Sequence, residues 1–151
     1  MAKIIITQGL PASGKTTWAK EWVNEDPEHR VRFNRDDIRN MLGKYWVPSR
    51  EKLINSIYDN FLDEAMLNGY DIVIDNMNLN ERTCKDIERI VMDFNDWIGL
   101  SPLEIRYEVE YKKFTDVPLE TLLERDSKRE NPIGEKVIRD LYCKYKEKLD
   151  V

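Results

Sequence analysis

The glycine-rich stretch GLPASGKT, at Gly9–Thr16, constrains the fold of this chain more than any other segment. It matches the pattern G-x-x-x-x-G-K-[ST], whose glycines let the backbone curl so that successive N–H groups point at phosphate oxygens. The apolar run before it, Lys3–Thr7, predicts a strand buried on both faces, and TTWAKEWVNE after it predicts a helix. That position between a strand and a helix favours a phosphate-binding loop over an ordinary glycine-rich turn.

The residues of this loop have predicted roles in binding ATP and Mg²⁺. The positive end of the helix dipole is aimed at the phosphates, Lys15 reaches the β and γ phosphates, and the Thr16 hydroxyl is the predicted magnesium ligand. We expect Lys15 to act in catalysis as well as in binding. The predicted ATP-binding residues of this segment are Gly9, Pro11, Ala12, Ser13, Gly14, Lys15, Thr16 and Thr17.

Strand-like and helix-like segments alternate along the rest of the chain. Further strands are predicted at VRFN, YDIVIDN and LEIRYEVEYKKF, with helical segments between and after them. The clearest helix is predicted over Ser49–Asn68, with Leu53 first in its apolar rhythm, and Trp18 and Trp22 are predicted core residues rather than a stacking platform. The alternation predicts an α/β fold, a parallel sheet covered on both faces, and the length fits one domain, residues 1–151.

Composition limits the classes of partner. The formal net charge is −5 and the pI is about 5.1, which argues mildly against a duplex-binding module but does not exclude a local basic pocket. No stretch approaches the roughly 18 apolar residues of a membrane helix, so no membrane partner is expected. Cys84 and Cys143 lack C-x-x-C spacing, which favours reduced thiols and a cytoplasmic location.

The segment NRDDIR, at 34–39, contains the predicted general base. It follows the second predicted strand, so it should lie at the carboxyl edge of the sheet, where ligands bind in open α/β folds. Asp36 and Asp37 point about 100° apart on a helix and cannot both serve one site. Arg39 shares a face with Asp36, so that pair can orient a hydroxyl, take its proton and hold an anionic part of the acceptor. The alternative is a helix cap at Asp36 with a surface ion pair.

A second pair of arginines occurs in ERDSKRENPIG. Arg125 and Arg129 are four residues apart, which predicts one helical face, and a Pro/Gly break follows. Phosphoryl transfer needs positive charge on the migrating group, often from arginines on a mobile lid, here about residues 125–134. The alternative is a solvated charged helix in which Glu124, Asp126 and Glu130 simply pair with the arginines.

Together, GLPASGKTTWA, NRDDIR, IDNMNLN, ERDSKR and VIRDLYCKYKEKL resemble the 5′-kinase domain of the bacteriophage polynucleotide kinase-phosphatase family, the P-loop polynucleotide 5′-kinases. The likeness covers nearly the whole chain, from Ile4 to Leu149. It implies an adenylate-kinase-like P-loop kinase fold with a four-stranded parallel sheet and a small lid. It also implies transfer of the ATP γ-phosphate to a 5′-hydroxyl of RNA or DNA, in a cytoplasm, or a host cytoplasm if the chain is phage-encoded.

The resemblance also implies roles for individual residues. Asp36 becomes the general base, and Arg39 grips the 3′-phosphate of the acceptor. Arg129 binds the donor phosphates and acts as a catalytic residue. Arg125 also binds ATP. The acceptor site would be lined by Asn76 and Asn78.

Three features depart from the family pattern. Met77 stands where threonine is usual, which makes the acceptor wall less polar, and Asn76 stands where the phage enzyme has an aspartate. No D-x-D-x-T phosphatase motif follows, so the chain is a lone kinase or a domain of a larger protein. Because a kinase that grips one or two terminal nucleotides needs only a positive pocket, the acidic pI fits a single-stranded or overhanging 5′-hydroxyl end as partner.

Two other classes of function compete with this interpretation. One is a P-loop kinase of a small metabolite or a sugar nucleotide, against which the NRDDIR and lid segments argue. The other is a non-catalytic ATP-binding module or slow switch, against which the base beside an arginine argues. No pattern in the sequence indicates an oligomeric state.

Overall fold

The computed structural model describes residues 1–151 and has a single sheet of four parallel strands. The order across the sheet is β2-β3-β1-β4. Six helices connect and flank the strands, and none of them is long and apolar enough to cross a membrane. The predicted α/β fold with a four-stranded parallel sheet and flanking helices is confirmed. The strands are β1 Ala2–Gln8, β2 Arg30–Phe33, β3 Asp71–Ile74 and β4 Tyr107–Lys113, and the helices are α1 Lys15–Glu25, α2 Arg35–Met41, α3 Glu51–Leu67, α4 Glu81–Ile98, α5 Leu119–Ser127 and α6 Glu135–Lys144.

The central position of β1 follows from its apolar run. Ile4 pairs with Ile72 of β3 on one side and with Val109 of β4 on the other. Successive side chains of a strand point to opposite faces, so Ile4 and Ile6 enter the core beneath α3 and α4, whereas Ile5 packs against α1. A strand covered on both faces needs this continuous run of β-branched residues. The parallel arrangement places the carboxyl ends of β1, β2 and β3 at one edge, where the site lies.

Two local predictions about helices need correction. The helix predicted from Ser49 begins at Glu51, because a 3-10 turn, Pro48–Arg50, precedes it. Leu53, predicted to face inward, is 50% exposed, since the buried stripe of α3 begins one residue later at Ile54. The prediction that Trp18 and Trp22 are core residues is confirmed in part: both pack against the small core formed by Ile5, Ala19 and Val73, with ring centres 6.2 Å apart, but both are only partly buried.

A separate small core supports the C-terminal part of the chain. Leu10 of the phosphate loop and Leu79 pack with Leu122 of α5 and Ile138 of α6, and all four are buried. This cluster ties the phosphate loop to the two helices on either side of the predicted lid. Packing across the cluster therefore links the phosphate loop to both ends of the predicted lid segment.

Candidate active site

The phosphate loop lies between β1 and α1, and its shape depends on two glycines. A Cβ atom at Gly9 would lie 2.6 Å from Ser13 Oγ and 2.8 Å from the Phe114 carbonyl oxygen, so no larger residue fits there. Gly14 has a φ of 101°, which glycine adopts readily, and Ala12 also has a positive φ of 67°. No side chain caps the first turn of α1. Its N–H groups are therefore available to an anion.

The loop residues fit the predicted triphosphate in a second respect. Ser13 Oγ is buried and has no hydrogen-bond partner in the protein. A buried hydroxyl without a hydrogen-bond partner is costly unless a ligand supplies one, and phosphate oxygens accept hydrogen bonds well.

Gly9 lies outside the cavities described below and shapes the loop through its close packing. Pro11 borders the acceptor cavity rather than the donor cavity.

Lys15 is the first residue of α1 and is buried at the centre of the site. Its Nζ donates to the Leu10 carbonyl oxygen at 2.9 Å. Burial lowers the pKa of Lys15 to about 8, and the nearby carboxylate of Asp75 partly opposes that shift. A cation destabilised in this way gains most when an anion arrives beside it. The position suits the β and γ phosphates of a nucleotide.

This pKa predicts proton uptake when ATP binds. With a pKa of about 8, Lys15 is only partly protonated near that pH in the free protein, and the triphosphate favours its charged form, so binding near pH 8 should take up a fraction of a proton. The uptake should vanish below about pH 7, where Lys15 already carries its proton. Calorimetry of ATP binding in two buffers of different ionisation enthalpy measures it. A Lys15→Met variant with the same uptake as the wild type would contradict the assignment.

A cavity of about 530 Å³ opens over the loop and is the candidate donor cavity. Arg125 Nη1 donates to the Ala12 carbonyl oxygen at 3.3 Å, so the lid arginine contacts the loop directly. Trp18 and Glu21 also border this cavity; Trp18, interpreted from sequence only as core, thus has one edge in the core and one in the site. The lining residues are Ala12, Ser13, Gly14, Lys15, Thr16, Thr17, Trp18, Glu21, Arg125 and Arg129.

The predicted lid arginines do not share one helical face. Helix α5 ends at Ser127, so Arg129 lies in the loop beyond it, but both arginines still border the donor cavity. The alternative of simple charge pairing holds only in part. Glu124 pairs with Lys128, and Arg129 is 3.9 Å from Asp126. The lid arginines therefore keep donors for a phosphate.

Asp126 organises the lid loop. Its carboxylate is buried and accepts hydrogen bonds from the backbone N–H groups of Ile133 at 3.0 Å and Gly134 at 2.9 Å. These bonds join the end of α5 to the start of α6 across the loop that contains Arg129. A carboxylate held by two N–H groups is a strong, charge-assisted anchor. The sequence offered Asp126 only as a surface partner for arginine.

A second cavity, of about 240 Å³, lies beside the first and is the candidate acceptor cavity. Lys15, Thr16 and Arg129 border both cavities. The three groups expected to hold the migrating phosphate thus lie where donor and acceptor would meet. The acceptor cavity is lined by Pro11, Lys15, Thr16, Asn34, Arg35, Asp36, Arg39, Asp75, Asn76, Met77, Arg129 and Ile133.

Asp36 faces this acceptor cavity within a hydrogen-bond network. Its Oδ1 accepts from Arg39 Nη1 at 2.7 Å and from the Tyr45 hydroxyl at 2.8 Å. The other carboxylate oxygen of Asp36, Oδ2, accepts no hydrogen bond from the protein. The cap of α2 is Asn34, whose side chain accepts from the Asp37 N–H at 3.0 Å, so the alternative of Asp36 as the helix cap is wrong.

Arg39 is held from two sides. Besides Asp36, it donates through Nε and Nη2 to both oxygens of Glu51, at 3.1 and 2.7 Å. Its hydrogen bond to Glu51 raises the pKa of Arg39, and the same contact lowers the pKa of Glu51. A guanidinium has five N–H donors and three are used, so two remain for an acceptor phosphate. Glu51 lies twelve residues away on α3 and gave no signal in the sequence.

Asp37 faces a different neighbour. Its Oδ2 accepts from Arg32 Nη1 at 2.6 Å, and the residue does not border either cavity. The expected separation of the two adjacent aspartates is therefore present in the structure. Arg32 also donates to Asp75, so it bridges two carboxylates at the edge of the sheet.

Asp75, which the sequence interpretation missed, is fully buried at the end of β3 and borders the acceptor cavity. Its Oδ2 accepts from Arg32 Nε at 2.7 Å, but its Oδ1 has no hydrogen-bond partner. The available signal was an acidic residue directly after the apolar run of a central strand. In P-loop proteins such an aspartate helps to hold Mg²⁺. The free Oδ1, bordering the same cavity as Thr16, fits that ion, which takes few protein ligands besides phosphates and water.

The two predicted acceptor asparagines differ. Asn76 borders the acceptor cavity, and its Oδ1 accepts from the Arg35 N–H at 3.1 Å. Asn78 has a φ of 49° and is buried, with its amide donating to the carbonyl oxygens of Thr7 at 2.8 Å and Ile74 at 3.0 Å. The structure does not bring Asn78 to the acceptor cavity. It holds the turn after β3 against β1 instead.

Known proteins share this architecture. The family model AAA_33, described as an AAA domain, matches residues 4–147. Two solved structures, described as the Pnkp1/Rnl/Hen1 RNA repair complex and the Pnkp1/Rnl/Hen1 complex, superpose with TM-scores of 0.76 and 0.67 and identities of 25% and 26%. They cover 99% and 82% of this chain.

A sequence relative has a different named activity. The chain is 26% identical over 145 residues to the L-seryl-tRNA(Sec) kinase of Methanococcus maripaludis, which covers 94% of this chain. The chain spans about half the length of that relative, 52%, and 46% and 38% of the two structural neighbours. The resemblance predicted from the motifs is confirmed at the level of family and fold: the chain belongs to the AAA_33 family and is a P-loop kinase domain.

Proposed function

We propose that the chain is a polynucleotide 5′-hydroxyl kinase that transfers the γ-phosphate of ATP to the 5′-hydroxyl of an RNA or DNA end. The observation that carries this proposal is the junction of the two cavities at Lys15, Thr16 and Arg129, with Asp36 on the acceptor side. A donor cavity alone would suit a switch. A second cavity with a carboxylate positioned for a hydroxyl suits transfer to an acceptor.

In the proposed reaction, Asp36, Lys15 and Arg129 each have a separate role. Asp36 takes the proton of the 5′-hydroxyl through its free Oδ2 as the oxygen attacks the γ-phosphorus. The bond between the γ-phosphorus and its bridging oxygen breaks, and ADP leaves. Lys15 and Arg129 stabilise the negative charge on the migrating group. Thr16 and Asp75 would hold Mg²⁺, which would supply further neutralisation of phosphate charge.

Charge in the acceptor cavity supports an anionic acceptor. Four cations border it, Lys15, Arg35, Arg39 and Arg129, against the two carboxylates Asp36 and Asp75. The whole chain has a net charge of −5, so this local excess is confined to the site. The RNA repair complex among the structural neighbours supports a nucleic-acid end as acceptor.

The relative named as an L-seryl-tRNA(Sec) kinase favours a second candidate function, phosphorylation of a hydroxyl on a seryl-tRNA. One assay separates the possibilities. The protein is incubated with γ-labelled ATP, Mg²⁺ and, in parallel reactions, a 5′-hydroxyl oligonucleotide, a seryl-tRNA and a mixture of nucleosides and sugars. We expect label on the oligonucleotide. Label on the seryl-tRNA or on a small metabolite alone would overturn the proposal, as would label found only in free phosphate.

Arg39 should distinguish nucleic acid from metabolite. A guanidinium near the 3′-phosphate should favour a nucleoside 3′-monophosphate over a plain nucleoside by roughly 10- to 150-fold. Arg39→Ala should raise the KM of the phosphorylated acceptor and largely remove that preference, with little change in the KM of ATP. Steady-state kinetics with both acceptors measures this. Equal loss on both would mean that Arg39 acts only by orienting Asp36, as its hydrogen bond at 2.7 Å allows.

A further inference from the structure

A third cavity, of about 300 Å³, continues the acceptor cavity away from the phosphate loop. Arg35, Asn76 and Met77 border both cavities, so the two share one wall. A strand whose 5′ end lies at Asp36 would pass this wall as it leaves the acceptor cavity. The third cavity is lined by Arg35, Tyr58, Asn76, Met77, Asn78, Leu79, Asn80, Thr83 and Tyr145.

The electrostatics of this cavity suit a phosphodiester. Arg35 is its one charged residue, and no carboxylate borders it, although the chain contains 29 acidic residues. Arg35 forms no salt bridge: its guanidinium lies 4.4 Å from the centre of the Tyr58 ring and donates to Asn55 Oδ1. Arg39, by contrast, already binds two carboxylates. Arg35 is therefore the cation on this side of the site that forms no ion pair with a carboxylate.

The remaining lining groups suit a nucleoside. Met77, Leu79 and Tyr145 provide apolar and aromatic surface, and base stacking on an aromatic ring tolerates any sequence. Thr83 and Asn76 provide a hydroxyl and an amide for a sugar or a base edge. The cavity beyond the acceptor cavity thus combines one cation that forms no ion pair with a surface of mixed polarity.

We propose that this third cavity binds the second nucleotide of the acceptor strand, and that Arg35 contacts the phosphodiester backbone as the strand leaves the acceptor cavity. The inference rests on the proposed function and adds to it a preference for strands over mononucleotides. A nucleoside 3′-monophosphate fills only the acceptor cavity. A trinucleotide also reaches the third, so the wild type should have the lower KM for the trinucleotide.

The test uses the full chain and a substitution that fills the cavity. Thr83→Phe should raise the KM of the 5′-hydroxyl trinucleotide about tenfold, the scale of one lost stacking contact, and leave the kinetics with nucleoside 3′-monophosphate unchanged. Arg82→Phe is the matched control, because Arg82 is the exposed neighbour on α4 and does not border the cavity. Tyr145→Ala gives a second, cavity-enlarging variant with the same expected selectivity. Melting curves accompany all three.

The outcomes separate the inference from the function. A trinucleotide preference that persists in both cavity variants, or a wild type that uses both acceptors equally well, would overturn the second subsite and leave the kinase assignment intact. Absence of transfer to either acceptor by the wild type would instead overturn the proposed function. Arg35→Gln should raise the KM of the trinucleotide more than the KM of the mononucleotide. An equal rise in both KM values would exclude the contact between Arg35 and the phosphodiester backbone.

Discussion

Replacing Lys15 with alanine is expected to lower the rate of phosphoryl transfer by about 10³-fold or more and to leave the chain folded. Lys15 borders both cavities, so its ammonium group lies where the migrating phosphate would be under the proposed function. Its only protein hydrogen bond is to the Leu10 carbonyl oxygen, and burial lowers its pKa to about 8. The charge is therefore a cost to the folded protein, so its removal should keep or raise the melting temperature.

The measurement pairs oligonucleotide phosphorylation with a thermal melt. Lys20→Ala is the matched control, since Lys20 is exposed on the same helix and outside both cavities. That variant should retain wild-type transfer. Activity of Lys15→Ala within a few-fold of the wild type would contradict the assignment of the phosphate loop.

Asp36→Asn is expected to retain ATP binding and to lose at least about 10²-fold in transfer, as for removal of a general base. The amide preserves the shape of the side chain but cannot take the proton of the hydroxyl. Asp37→Asn should be milder, because Asp37 pairs with Arg32 outside the acceptor cavity, and Arg32 keeps its second partner in Asp75. This adjacent pair is a natural internal control.

Single-turnover transfer and a separate measurement of the ATP Kd distinguish loss of chemistry from loss of binding. A greater defect in Asp37→Asn than in Asp36→Asn would mean that the base is assigned to the wrong carboxylate. Loss of ATP binding in Asp36→Asn would show that the network of Asp36, Arg39 and Tyr45 supports the donor side instead.

The elements were largely predictable because their signals are local. The run Ile4–Ile6 alternates between two covered faces, and that requires a central strand. Asn80 directly precedes α4, and its side chain accepts a hydrogen bond from the Arg82 N–H at 2.9 Å, as the preference of asparagine for helix caps leads one to expect. Leu53 shows the limit of such signals, since a helical rhythm does not reveal where the covered stripe begins.

Pairing between distant side chains was not predictable in this way. Glu51 reaches Arg39 from another helix, and Asp126 anchors the lid by accepting from Ile133 and Gly134. Asn78, expected in the acceptor site, donates its amide to carbonyl oxygens of the strands because its left-handed backbone turns the side chain inward. In each case the partner is chosen by how the elements pack, which spacing along the chain does not encode.

The sequence by itself determined the phosphate loop, the alternation of strands and helices and the parallel sheet, because backbone conformation and apolar period are read within a few residues of each position. Only the tertiary structure decided that Lys15, Thr16 and Arg129 border two cavities at once, and that Asp75 keeps one buried oxygen free. Those facts depend on α5, α6 and the ends of β1 and β3 meeting at one edge. Their geometry is a property of the packed molecule, because the side chains involved lie far apart in the sequence, as Arg32 and Asp75 do.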